Sequence, residues 1–156
     1  MLEVREIITT DRKWVAEFLG EHWGSPLIVT RGKIHYADKL AGFIAMEHNI
    51  NIGLITYNID NGECEIVSLN SIDEDRGIGT ILIEAVRKTV IGCRRLWLIT
   101  TNDNLRAIEF YKKRGFSLRT IHHNAIAESR KLKPAIPEFG YNRIPIKDEI
   151  EFEIFL

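Results

Sequence analysis

The chain has 156 residues, with 21 Lys and Arg against 22 Asp and Glu and a formal charge of −1, which is the size of one domain and too short for two well-packed ones. Hydrophobic residues make up 45% and charged residues 28%, a soluble globular balance that excludes disordered and fibrous classes, and no global positive field draws it to nucleic acid or anionic lipid. No apolar run reaches the roughly 18 residues a membrane-spanning helix needs, Met1 opens onto Leu-Glu-Val-Arg-Glu with no apolar h-region, and Cys64 and Cys93 match no metal-ligand spacing. The expectation is a single cytoplasmic domain over residues 1 to 156, with no metal and no membrane contact.

Leu2 to Ile8 alternates apolar and charged residues as a strand does, and Thr9-Thr10-Asp11 then offers a helix N-cap. The helix that follows carries Trp14, Val15, Phe18 and Leu19 on one stripe, and Gly20 is its expected stop. From Glu21 to Asp38 the pattern is irregular, with one short strand predicted at Leu27-Ile28-Val29. Leu40 to Glu47 and Ile50 to Ile59 read as strands, and the Asp60-Asn61-Gly62 turn returns the chain into a third, Glu63 to Ser71.

The period then changes. Ile78, Ile81, Leu82, Ala85, Val86 and Val90 recur every three or four residues, predicting an amphipathic helix, and Leu96-Trp97-Leu98-Ile99 predicts a strand covered on both faces. A second helix spans about Asn104 to Arg114 and ends at Gly115; Phe116 to His123 is a strand. Asn124 to Arg143 reads mostly as loop. Glu149 to Leu156 alternates Ile150, Phe152, Ile154 with Glu149, Glu151, Glu153, predicting a half-buried strand that either finishes its own sheet or pairs with a second copy in a homodimer. Antiparallel strands followed by strand-helix-strand-helix-strand predict a mixed sheet with helices on its faces, and the right-handed crossover makes the Glu63 and Arg95 strands parallel neighbours. Ligands in such sheets sit at strand carboxyl ends, which points at Leu69 to Thr80.

Chemistry concentrates there. The segment Glu74-Asp75-Arg76-Gly77-Ile78-Gly79-Thr80 joins strand to helix, and its glycines let backbone N–H groups approach an anion at a helix N-terminus. It is neither a Walker loop, which needs Gly-Lys-Ser/Thr, nor a dinucleotide fingerprint, because Leu82 stands where a third small residue belongs. Asn104 and Tyr111 are seven apart, so on a helix they share a face about 10 Å apart along the axis. Read by themselves, Asn104 is a helix cap and Tyr111 a core aromatic.

Together these segments resemble the GNAT superfamily of acyl-CoA-dependent N-acetyltransferases. Arg76-Gly77-Ile78-Gly79-Thr80 is similar to the family's pyrophosphate loop, Arg/Gln-x-x-Gly-x-Gly/Ala. Asn102 to Phe116 is similar to its second motif, with Asn104, Ala107, Tyr111 and Gly115-Phe116 at the usual offsets. The resemblance implies an α/β (α+β) fold, a mostly antiparallel central sheet with a splayed parallel pair and helices on both faces. It also implies acetyl-CoA as cosubstrate, bound by Leu69, Asn70 and Ser71 along the pantetheine arm, by Asp75 to Thr80 at the diphosphate, and by Asn104 and Tyr111. The family's Arg or Gln falls on Glu74, whose charge cannot help bind phosphate, so the loop depends on backbone amides, the helix dipole and Arg76.

An amine must be neutral to attack a thioester, and the departing thiolate benefits from a proton donor. The resemblance implies direct transfer to a primary amine in a ternary complex, with Tyr111 as general acid and Glu65 or Glu63, two apart on one strand face, as general base. Trp23, Arg31 and Tyr36 fall in the region that forms much of the family's acceptor wall. Arg130, Lys131 and Lys133 read most simply as a solvated loop, and the adjacent His122 and His123 point to opposite strand faces, against a shared role. The alternative is a non-catalytic module of the same fold that binds CoA or a protein partner.

Overall fold

A computed structural model describes residues 1–73 and 76–156. The predicted positions Glu74 and Asp75 lie outside the described residues. The first strand, β1 (Leu2–Glu6), leads through a short 3-10 turn into α1 (Arg12–Trp23). Asp11 does not cap that helix with its side chain: it accepts from the backbone N–H of Ile8 and takes the Arg5 guanidinium on both oxygens at 2.7 and 2.8 Å. That hydrogen-bonded guanidinium holds the Asp11 carboxyl below the usual carboxylate range, against the opposing effect of burial. Gly20 sits inside α1. The helix runs one turn further and stops at Gly24, which takes the left-handed conformation (φ 81°) and donates its N–H to Gly20 O.

The irregular stretch contains a two-stranded hairpin, β2 (Leu27–Thr30) and β3 (Lys33–Tyr36), of which the sequence shows only the first strand. Then come β4 (Ala41–Glu47), β5 (Ile50–Asp60), β6 (Glu63–Ser71), α2 (Ile78–Thr89), β7 (Arg95–Thr101), α3 (Leu105–Lys113), β8 (Ser117–His122), α4 (Ala125–Leu132) and β9 (Glu149–Phe155). α4 lies in the predicted loop, because its eight residues carry only Ile126 and Ser129 as buried positions, too few to show a helical period.

The central sheet has the order β1-β4-β5-β6-β7-β9-β8, antiparallel except for β6 against β7. β9 lies between β7 and β8, so it finishes its own sheet and offers no free edge to a second copy. One face packs against α2 and α3. Ile78, Leu82, Ile83 and Val86 of α2 meet Phe43, Ala45, Ile55, Cys64 and Ile66 of the strands, and burial of each Ile, Leu, Val or Phe among them contributes about 1.5–3 kcal/mol. The other face takes Val15, Phe18 and Leu19 of α1 against Ile44, Leu54 and Val67. The strand alternation of Phe43/Ala45 against Ile44 feeds the two cores from the same strand.

The glutamates of β9 depart from the half-buried expectation. Glu149, Glu151 and Glu153 are 1%, 6% and 8% exposed, as buried as the apolar residues between them. Their charges are matched in place: Arg95 Nη1 donates to Glu151 Oε2 at 2.8 Å and to Glu153 Oε1 at 3.0 Å, and Arg31 Nη1 to Glu149 Oε1 at 3.0 Å. Burial would raise the Glu151 carboxyl, but hydrogen bonds from Arg95 and His122 outweigh it and leave it below its ordinary value.

Candidate functional site

The site begins with a fault in the sheet. β6 and β7 share only three rungs, Cys64 with Leu96, Glu65 with Trp97 and Ile66 with Leu98. Beyond them β6 stays with β5 while β7 stays with β9. Against β5 the register shifts between Tyr57 opposite Ile66 and Thr56 opposite Ser68, so Val67 is an extra residue, a bulge at the point where the parallel pair parts. Val67 and Ser68 consequently turn to the α1 face, where Ser68 Oγ meets Thr56 Oγ1 at 2.6 Å, and Leu69 returns to the α2 face.

The parted strands open a cavity of about 390 Å³. Leu69, Asn70 and Ser71 of β6 line one wall; Asn104, Ala107, Phe110 and Tyr111 of the β7–α3 segment line the other. Gly79 of α2 closes one end, and Tyr141 and Asn142 project into it from the chain between α4 and β9. Gly79 and Phe110 also line a second hollow of about 310 Å³, which is edged by Arg106, Lys113 and Arg114 with Glu109 as its carboxylate. An extended ligand can therefore run from the strand fault across the start of α2 to a basic rim.

Gly77 precedes α2 in the left-handed conformation (φ 76°), and among the described residues no side chain caps the helix. The first N–H groups of a helix have no intrahelical partner, and the helix dipole favours an anion there. A Cβ on Gly79 would lie 3.0 Å from Phe110 Cζ, so a larger residue would narrow the passage between the two hollows. Arg114 stacks over Phe110, 4.7 Å to the ring centre, and donates from Nε to Thr80 Oγ1 at 2.6 Å, fixing α3 against α2. Thr80 thus ties helices together with its side chain.

Arg76 pairs with Glu47 at the end of β4, which holds the Glu47 carboxyl below the usual range through their hydrogen bond. A phosphate at the loop competes with Glu47 for that guanidinium. Glu47→Gln is therefore expected to tighten the binding of pyrophosphate, as a probe anion, by about two- to fivefold at low salt, with the gain fading as ionic strength rises. Isothermal titration of both proteins at two salt concentrations checks it; unchanged affinity means that Arg76 never leaves Glu47.

Asn104 takes the capping position of α3, its Oδ1 accepting from Ala107 N at 3.1 Å, and lines the cavity as well. Tyr111 is 8% exposed, its ring edge-on to Phe110 (5.3 Å) and Phe116 (5.6 Å) and 6.3 Å from Phe152. Burial pushes its phenol above the ordinary tyrosine value, so the hydroxyl keeps its proton at neutral pH.

The two glutamates of β6 separate. Glu63 stands near the turn end of the strand, paired with Arg95 Nε at 3.1 Å and Arg94 Nη2 at 3.6 Å, well away from the parting. Glu65 lies one residue before the last shared rung, 5% exposed, and accepts from Thr30 Oγ1 at 2.6 Å.

One further contributor, Asp103, carries no sequence signal of its own. Asp103, 3% exposed, accepts from Tyr141 N at 3.1 Å and from Thr101 Oγ1, so it pins the Tyr141 turn to the motif. Trp23 Nε1 donates to Asn70 Oδ1 at 2.7 Å, joining the end of α1 to the cavity wall. Lys133 donates to Leu27 O at 2.6 Å and Trp23 O at 3.2 Å, and burial lowers its ammonium below the usual lysine value. Arg130 donates to the carbonyls of Ile136, Pro137 and Ile146. The basic stretch is thus no solvated loop: two of its three cations brace the backbone around the cavity. Trp23, Arg31, Tyr36, Glu63 and Glu65 all lie outside the cavity lining.

Cys64 is buried, its thiol pushed up to about 12 chiefly by desolvation, which fits a packing role. His122 meets Glu151 and His123 meets Asp148, so the adjacent histidines have separate partners. Among the described residues no cluster of three or more His, Cys, Asp or Glu could hold a metal, and no helix is long and apolar enough to cross a membrane.

A splayed parallel strand pair, the N-terminus of α2, a basic rim and a buried tyrosine thus lie around one continuous hollow. Residues 8–116 match the acetyltransferase (GNAT) family, and the chain belongs to it. It is 45% identical over 141 residues to the uncharacterized protein YdhI of Bacillus subtilis (strain 168), covering 88% of each chain. Its fold is like that of an IAA acetyltransferase from Bacillus cereus, with 17% identity, a TM-score of 0.71 and 100% of both chains covered. It is also like a GNAT family acetyltransferase from Elizabethkingia anophelis with acetyl-CoA bound, at 21% identity and a TM-score of 0.69 over 99% of this chain and 98% of that one.

Proposed function

We propose that the protein transfers an acetyl group from acetyl-CoA to a primary amine by direct attack in a ternary complex. The observation that carries this reading is the parting of β6 from β7 beside Tyr111, which leaves a passage from the start of α2 to a buried phenol. The residues present fit acetyl-CoA. Free backbone groups of Leu69 to Ser71 suit the amides of a pantetheine arm, the start of α2 suits a diphosphate, and the rim with Arg106, Lys113 and Arg114 suits a further phosphate.

Acetyl-CoA supplies the activated acyl group as a thioester. Tyr111 holds the proton that the departing sulfur needs, and its burial keeps that proton in place at neutral pH. Glu65 stands on the opposite face of the sheet, at the foot of the parting, where it takes the proton of an approaching amine directly or through a water. Glu63, neutralised by two arginines, is not given this role. Asn70, Tyr141 and Asn142 form the wall that the amine passes, with Trp23 bracing it through Asn70.

Thiol release from acetyl-CoA against a panel of amines and peptides tests the reading. Release that depends on one acceptor class is the expected result. A rise in melting temperature with acetyl-CoA but no release across the panel favours the binding module instead, and no thermal shift sinks the acetyl-CoA reading; the rise expected at a hundredfold excess over Kd corresponds to about 2.7 kcal/mol.

A further inference from the structure

The α1 face of the sheet carries five glutamates in register: Glu63 and Glu65 on β6, and Glu149, Glu151 and Glu153 on β9, with Trp97 of β7 between Glu65 and Glu153. Four are matched to arginine: Glu63 with Arg94 and Arg95, Glu149 with Arg31, Glu151 and Glu153 with Arg95 and Arg119. Among the described residues Glu65 has no arginine. Its partners are Thr30 and His35, both from the β2–β3 hairpin and both buried, at 6% and 3% exposure.

The hydrogen bonds have a forced order. Thr30 Oγ1 lies 2.6 Å from Glu65 Oε2 and 3.0 Å from His35 Nε2, and His35 Nε2 lies 3.4 Å from Glu65 Oε1. A carboxylate only accepts, and a hydroxyl has one proton to give. With Glu65 ionised, Thr30 therefore donates to it, and His35 donates from Nε2 to the threonine oxygen. This gives a buried carboxylate a charge-assisted hydrogen bond from the hairpin and no arginine among the described residues. An anchor for the hairpin alone would not need this arrangement, because Glu149 already holds the hairpin tip through the backbone N–H and guanidinium of Arg31.

We propose that Thr30 and His35 are positioning residues for proton uptake by Glu65, a role that rests on the acetyl-transfer reading above. The hairpin is then part of the catalytic apparatus, setting the orientation of a base at the foot of the parted strands. The other ionisable neighbours on this face, Glu63 and Arg95 with Glu151 and Glu153, are tied to one another and are not displaced by changes at Thr30.

The test compares Thr30→Val, which keeps the shape and loses the hydroxyl, with Thr30→Ser, which keeps the hydroxyl and loses a methyl group. With the best acceptor from the amine panel, Thr30→Val is expected to lower kcat by about tenfold or more with acetyl-CoA affinity unchanged, while Thr30→Ser stays within about twofold of the parent. His35→Gln should fall with Thr30→Val. A packing role reverses the order: valine is then harmless and serine costly, and that ranking, or equal turnover in all three, overturns the proposal. If the parent protein itself releases no thiol with any acceptor although acetyl-CoA raises its melting temperature, the transfer reading fails, and this inference with it.

Discussion

Replacing Tyr111 by Phe is expected to lower acetyl transfer by about a hundredfold or more while acetyl-CoA affinity stays within about twofold. The ring is held by Phe110, Phe116 and Phe152, contacts that phenylalanine keeps, so the fold should stand and the loss be confined to the hydroxyl. Burial raises the phenol, so the group stays protonated, and therefore able to donate, to higher pH than an exposed tyrosine. Turnover of the parent should accordingly show no loss from Tyr111 ionisation below about pH 10, the ordinary tyrosine value. Steady-state thiol release across that range, beside acetyl-CoA titrations of both proteins, decides the matter. A parallel fall in affinity and turnover would make Tyr111 a wall of the acetyl-CoA passage and leave the proton donor unassigned.

The parts of this site that can be read in the sequence are those made by local chemistry. Gly77 and Gly79 at a strand-to-helix junction, Asn104 as a helix cap and Gly115 as a helix stop each follow from backbone rules acting over a few residues. The parallel pairing of β6 and β7 follows from handedness. What the sequence hides is made by long-range contact. The bulge at Val67 lies in an unbroken strand pattern, and only the geometry of β5 and β7 shows it. Glu149, Glu151 and Glu153 alternate as a solvated face does, yet Arg31 and Arg95 bring in charge from more than fifty residues away and make their burial tolerable. His35 is isolated in sequence and gains meaning only when the hairpin lays it on Glu65.

Gly140→Ala carries the largest expected effect on the acceptor wall. Gly140 does not take the left-handed conformation (φ −112°), and the obstruction is one of space: a Cβ there would stand 1.9 Å from Asp103 Oδ2 and 3.0 Å from Ile146 Cδ1. Asp103 cannot swing aside without releasing the N–H of Tyr141 and the hydroxyl of Thr101. Either the turn lifts away or a buried carboxylate loses its donors, at about 1–3 kcal/mol, which lowers Tm by roughly 2–12 °C for a chain of this size. Because Tyr141 and Asn142 leave the cavity with the turn, the KM for the amine should rise while the affinity for acetyl-CoA, proposed to lie along Leu69 to Ser71 and the start of α2, is expected to hold. Asp103→Ala clears the obstructed space, so in that background the added methyl group should cost far less than it does alone, and a double-mutant cycle reads the difference as coupling. Simple additivity of the two changes would show that Gly140 is not held against Asp103, and that the Tyr141 turn is positioned by something else.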